Sequence, residues 1–105
     1  MRFLNSKLKI ENTILQNIAK KYGTPAYCYS YKQLRENIND FKKNFKSISP
    51  LICFAIKSNT NLNLIKEIKK FGLGADVVSM GELMLALKAG ISPRKIVFSG
   101  VGKTS

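Results

Sequence analysis

Between Leu51 and Ser105 the chain alternates strand-like and helix-like stretches at short spacing, and this alternation most constrains its fold. LICFAI, Leu51 to Ile56, is apolar throughout without polar alternation, which predicts a strand buried on both faces. Leu64, Ile65, Ile68 and Phe71 then recur at helical spacing with Lys66, Lys69 and Lys70 on the opposite face, until Gly72 stops the helix. GADVVS predicts a second strand, GELMLALKAG a helix stopped at Gly90, and KIVFS a third strand. Such alternation is the pattern of a parallel α/β sheet or barrel. Three strands and two helices do not close a barrel, which needs eight of each and about 250 residues. The chain therefore reads as the front part of a larger protein.

Upstream, Asn12-Thr13 is placed to cap a helix whose Ile14, Leu15, Ile18, Ala19 and Tyr22 share one face and which Gly23 ends. Gly-Thr-Pro forces extended chain, and AYCYSY follows with strand-forming residues. From Lys32 to Ile48 the spacing of Leu34, Ile38, Phe41, Phe45 and Ile48 predicts another helix, broken by Ser49-Pro50.

A formal net charge of +12 raises the question of nucleic acid. The excess is lysine rather than arginine, 15 against 3, in pairs such as Lys20-Lys21, Lys42-Lys43 and Lys69-Lys70 with no interleaved aromatic stripe. Solvated helix faces account for that pattern better than a nucleic-acid interface, which gathers charge on one face. Cys28 and Cys53 share no metal-binding or CxxC spacing, so reduced thiols in a reducing compartment are expected. There is no histidine, the commonest metal ligand and general base, and no metal site is expected. Neither an N-terminal apolar stretch nor a membrane-length apolar run occurs, and the cytoplasm is the expected location.

The last residues, GVGKTS after an apolar run, suggest a phosphate-binding P-loop. That motif needs a glycine five residues before Gly102, and Val97 stands there. FAIKSNTN is more informative. In parallel α/β folds, side chains at the C-terminal ends of strands face the ligand crevice, and Lys57 ends the LICFAI run. Apolar neighbours would strip water from its amine and favour the neutral nucleophile, able to form a Schiff base with an aldehyde cofactor such as pyridoxal phosphate. Position alone favours a lysine that merely reaches to solvent from a strand end. Asp76 opens the apolar part of GADVVS, where a carboxylate is costly unless paired, either with a cationic cofactor or as a loop cap. Glu82 lies in the first turn of its helix, where the macrodipole favours an acid whatever its function. Asn59 suits the cap of the next helix.

In their order along the chain, YGTPAYCYS, FAIKSNTN, GADVVSMGEL and IVFSGVGKT resemble the N-terminal part of the diaminopimelate decarboxylase family, pyridoxal-phosphate enzymes of the alanine-racemase-like, fold-type III class. The resemblance runs from about Ile14 to the last residue. FAIK-S-N is shared with ornithine and arginine decarboxylases, whereas DVVS-x-GEL together with IVFSGVGKT is more particular to the diaminopimelate branch. The resemblance implies an α/β fold in which residues 1–31 form a helix and a strand that joins a C-terminal β-domain. Residues 32–105 would begin the (β/α)8 cofactor barrel. It further implies that Lys57 is the catalytic lysine bound to pyridoxal phosphate, and that Asp76 and Glu82 complete the cofactor-binding residues here. GVGKT becomes the turn after the third barrel strand. The implied activity is decarboxylation of meso-2,6-diaminopimelate to L-lysine by a cytoplasmic homodimer. Its partner is a small-molecule amino acid, with neither nucleic acid nor membrane. The alternatives are an ornithine- or arginine-type decarboxylase, or an inactive truncated product. Family members usually show Gly-Gly-Glu where this chain has Met80-Gly81-Glu82.

Overall fold

A computed structural model of the chain describes residues 1–4 and 6–103, with Arg2 and Leu4 described through their backbone. It divides into two compact units, Met1–Lys46 and Ser47–Ser105.

The first unit opens with an antiparallel meander that the sequence pattern does not announce. Its strands are β1 (Arg2–Leu4), β2 (Lys7–Ile10) and β3 (Thr13–Ile14), with Phe3 opposite Leu8 and Lys9 opposite Ile14. Glu11 and Asn12 make the turn from β2 to β3, and Glu11 takes φ 53°, uncommon outside glycine. Because Thr13 pairs with Ile10, Asn12-Thr13 does not cap the following helix. Helix α1 (Leu15–Tyr22) starts after Ile14 without a side-chain cap. Its face of Leu15, Ile18 and Ala19 is half-buried and Tyr22 is exposed.

AYCYSY does not form a strand: residues 26–30 carry no regular structure. Strand formers become a strand only where a neighbour completes the ladder, and none of the described residues pairs with them. Helix α2 (Tyr31–Asn44) follows, its first turn capped by the Ser30 hydroxyl, which accepts from Gln33 N–H at 3.0 Å. It ends earlier than the periodicity predicts, in a 3₁₀ turn at Lys46–Ile48, before Ser49 at φ 44°. Of the apolar stripe only Ile38 is buried, while Phe41 and Phe45 stack at 4.7 Å in the open.

The second unit is the predicted alternation. Strands β4 (Cys53–Ala55), β5 (Gly74–Val77) and β6 (Ile96–Phe98) form a parallel sheet in that order. Helices α3 (Leu62–Lys70) and α4 (Met80–Lys88) are the crossovers. Phe54, Ala75 and Ile96 lie in one row of the register and Val77 and Phe98 in another. These side chains pack with Ile65 of α3 and Ala86 of α4, joined by Ile56, Ala89 and Ile91, into one core. Burial of this apolar surface, at roughly 25 cal/mol per Å², is what holds helices to sheet.

Strand alternation sends Cys53, Ala55, Asp76 and Val97 to the other face, away from the core, and Val97 is 50% exposed. The expectation that LICFAI is buried on both faces is therefore corrected. It forms a strand of only three residues, all half-buried, because α3 and α4 pack on one side alone.

The topology also gathers charge that is dispersed along the sequence. Lys69 and Lys70 end α3, Lys88 ends α4, and Arg94 and Lys95 end the 3₁₀ turn before β6. In a parallel α/β unit all of these lie at the end of the sheet where strands begin. Lys95 Nζ donates to the Gly72 carbonyl at 3.0 Å, meeting the negative end of the α3 dipole.

Candidate functional site

The opposite end of the sheet, where the strands finish, holds the residues singled out by sequence. Lys57 is not on β4 but in a 3₁₀ turn, Ile56–Ser58, directly after it. Ile56 is fully buried and anchors the turn. The Ser58 hydroxyl donates to the Ala55 carbonyl at 2.7 Å, and Asn59 N–H to the Ile56 carbonyl at 3.0 Å. The backbone at Lys57 is thus fixed on both sides while its side chain is exposed. The expected desolvation of its amine is not met, since the apolar neighbours Phe54 and Ile56 turn into the helix-side core.

Asn59 is not the cap of α3. Its Oδ1 accepts from Asn61 N–H at 3.0 Å, and Asn61 Oδ1 caps the helix by accepting from Asn63 N–H at 2.9 Å. The two asparagines act in series, one shaping the turn and one the helix start.

Asp76 stands on β5 with Ala55 and Val97 as its neighbours across the sheet, on the face away from the core. The pairing that a strand carboxylate requires comes from Ser99, whose hydroxyl donates to Asp76 Oδ1 at 2.7 Å. Nothing in the linear pattern singles out Ser99. Its signal was the register: Val97 is opposite Asp76, so Ser99, two residues on, shares its face.

Glu82 lies in the first turn of α4, as expected, and its Oε2 accepts from Val78 N–H at 2.8 Å. Ser79 Oγ accepts in return from Glu82 N–H at 3.2 Å. This reciprocal pair is close to a capping box, displaced by one residue at its acidic arm. It joins the end of β5 to the start of α4. Met80 takes the first helical position and is absent from the residues at positive φ, so replacing a glycine there leaves the backbone unstrained.

Cys53 shares the face of Asp76 at the other end of the sheet. Burial, and secondarily the Asp76 charge, push its thiol pKa up. Both cysteines are free and half-buried. Among the described residues no group of His, Cys, Asp or Glu is placed to hold a metal ion. Nor, among the described residues, is any helix long and apolar enough to cross a membrane. Gly100 to Lys103 follow β6 without helical structure, and Thr104 and Ser105, the rest of the GVGKTS motif, lie outside the described residues.

An exposed lysine thus follows one parallel strand, and a hydroxyl-held aspartate stands on the next. The chain belongs to the family described as pyridoxal-dependent decarboxylase, pyridoxal binding domain, which matches residues 31–105. A diaminopimelate decarboxylase of Aquifex aeolicus is 44% identical over 104 residues, covering 99% of this chain and 24% of the relative. A crystal structure from Aquifex aeolicus superposes with TM-score 0.92 at 45% identity, over 98% of this chain and 25% of the other. Diaminopimelate decarboxylase from M. jannaschii in co-complex with L-lysine gives TM-score 0.89 at 35% identity, over 95% and 24%. The chain thus spans about a quarter of the length of the relatives it matches.

Proposed function

We propose that this chain is the cofactor-bearing part of a diaminopimelate decarboxylase, which converts meso-2,6-diaminopimelate to L-lysine and carbon dioxide. The observation that carries the reading is the placement of Lys57 just after β4 and Asp76 on the adjacent β5, an amine and a carboxylate at neighbouring strand ends. These residues fit pyridoxal phosphate by their chemistry. A primary amine suits its aldehyde, and a carboxylate suits a cationic ring system. Bound there, the cofactor supplies an electron-accepting ring to the bond that loses carbon dioxide.

Within the chain, Lys57 holds the cofactor through its ε-amine. Asp76 provides negative charge beside it, and Glu82 fixes the β5–α4 connection that carries Asp76. Residues 1–31 precede the cofactor domain, and residues 32–105 begin its eight-stranded barrel. The sheet face bearing Asp76 and Val97 becomes the barrel interior, which agrees with its lack of a packed helix. The 105 residues alone are inactive on this reading, because the face that must exclude water stays open. The complete enzyme works in the cytoplasm as a homodimer on a small-molecule amino acid.

A second reading, an ornithine- or arginine-type decarboxylase, shares FAIK-S-N and the same site residues. Two chimeras separate them. In one, these 105 residues replace the segment they match in the Aquifex aeolicus diaminopimelate decarboxylase; in the other, the corresponding segment of an ornithine decarboxylase. Lysine and carbon dioxide from diaminopimelate in the first chimera, with an inactive second, is the expected result. Activity in the ornithine decarboxylase chimera alone would favour the second reading.

A further inference from the structure

We infer that Ser99 is a positioning residue for Asp76, holding one carboxylate oxygen so that the other faces the bound pyridoxal phosphate. The inference rests on the reading of Lys57 and Asp76 as the cofactor site. The 2.7 Å separation between Ser99 Oγ and Asp76 Oδ1 falls within the range for a hydroxyl donating to a carboxylate, where the charge strengthens the bond. Oδ2 makes no hydrogen bond to the other described residues. A carboxylate held through one oxygen loses its freedom to rotate, and its second oxygen then points in one direction.

The backbone that places Ser99 is itself held on both sides. Ser99 N–H donates to the Val77 carbonyl at 3.0 Å, extending the β5–β6 ladder one residue past Phe98. The next residue, Gly100, lies against the Val78 backbone, whose own N–H is held by Glu82. Within these residues Ser99 is exposed, and its one side-chain hydrogen bond is the one to Asp76. Its role is to restrict Asp76.

The test uses the diaminopimelate decarboxylase chimera carrying Ser99→Thr or Ser99→Val, which share a shape and differ by the hydroxyl. Binding is read by absorbance titration with pyridoxal phosphate, and melting is followed without cofactor. Thr should bind the cofactor within about threefold of the parent, and Val about tenfold more weakly, as loss of a hydrogen bond to a charged group predicts. Thr and Val fill nearly the same volume, so the two variants should melt within about 2 °C of each other. Equal affinity for Thr and Val would overturn the inference. So would a loss in Val matched by a fall in melting temperature, which would make Ser99 merely structural. A parent chimera that takes up no cofactor would instead remove the reading of the site, and the inference with it.

Discussion

Gly100 and Val78 approach so closely that a Cβ on Gly100 would stand 2.1 Å from the Val78 carbonyl oxygen and 2.7 Å from its carbon. The obstacle is backbone, which cannot swing aside as a side-chain tip can. The end of β6 is thereby drawn against the end of β5, bringing Ser99 to Asp76. Gly100→Ala must push the two strand ends apart and should cost about 2 kcal/mol or more, as overpacking does. Gly102→Ala is the control, since nothing lies within 4 Å of its Cβ position. Urea unfolding of the chimera should separate the two substitutions. Equal stability would mean that the close approach is not maintained.

Glu82 joins the β5–α4 connection through Val78 N–H. Glu82→Ala leaves that donor without its acceptor and should cost about 1–2 kcal/mol, in the range of a lost cap. Glu82→Gln keeps an acceptor and should lose less than half of that. Cofactor titration of the same variants decides a second point. Direct contact with the cofactor predicts weakened binding in Glu82→Gln despite near-parent stability, whereas a purely structural Glu82 predicts unchanged binding.

The Glu11 carboxylate accepts from the Ser30 hydroxyl at 2.6 Å and from Lys32 N–H at 2.8 Å, tying the β2–β3 turn to the start of α2. The hydroxyl bond first, then the backbone bond, lowers its pKa below the ordinary glutamate value. A lowered folded-state pKa means that the folded chain favours the ionised form more than the unfolded chain does. The contribution is therefore present above the unfolded pKa and is lost as pH falls through the folded value. Comparing urea midpoints of the parent and Glu11→Gln from about pH 6 to about pH 3 should show a difference at the higher pH that shrinks on acidification. A difference that grew on acidification would contradict the sign.

Much of the second unit was legible because its signals are local. Ile65 and Ile68 at helical spacing mark α3, and Gly72 and Gly90, both at positive φ, mark where helices stop. The misses required partners. Strands as short as Thr13–Ile14 carry no periodicity to detect, and AYCYSY has strand chemistry but no neighbour to pair with among the described residues. Asn59 and Asn61 are chemically identical candidates for one cap, and only the start of α3 decides between them. The strand-end positions of Lys57 and Asp76 were legible because strand ends can be read along a sequence. Ser99 was not, because its importance depends on the register of β6 against β5. The exposure of Lys57 likewise follows from which face the helices cover, a tertiary fact.

The central claim is that Lys57 is the residue to which the cofactor is attached. Incubation of the diaminopimelate decarboxylase chimera with pyridoxal phosphate, reduction with borohydride and peptide mapping tests it directly. A single stable pyridoxyl label on Lys57, lost with prior removal of the cofactor, is the predicted result. A label on Lys66 or Lys103, with Lys57 unmodified, would contradict it.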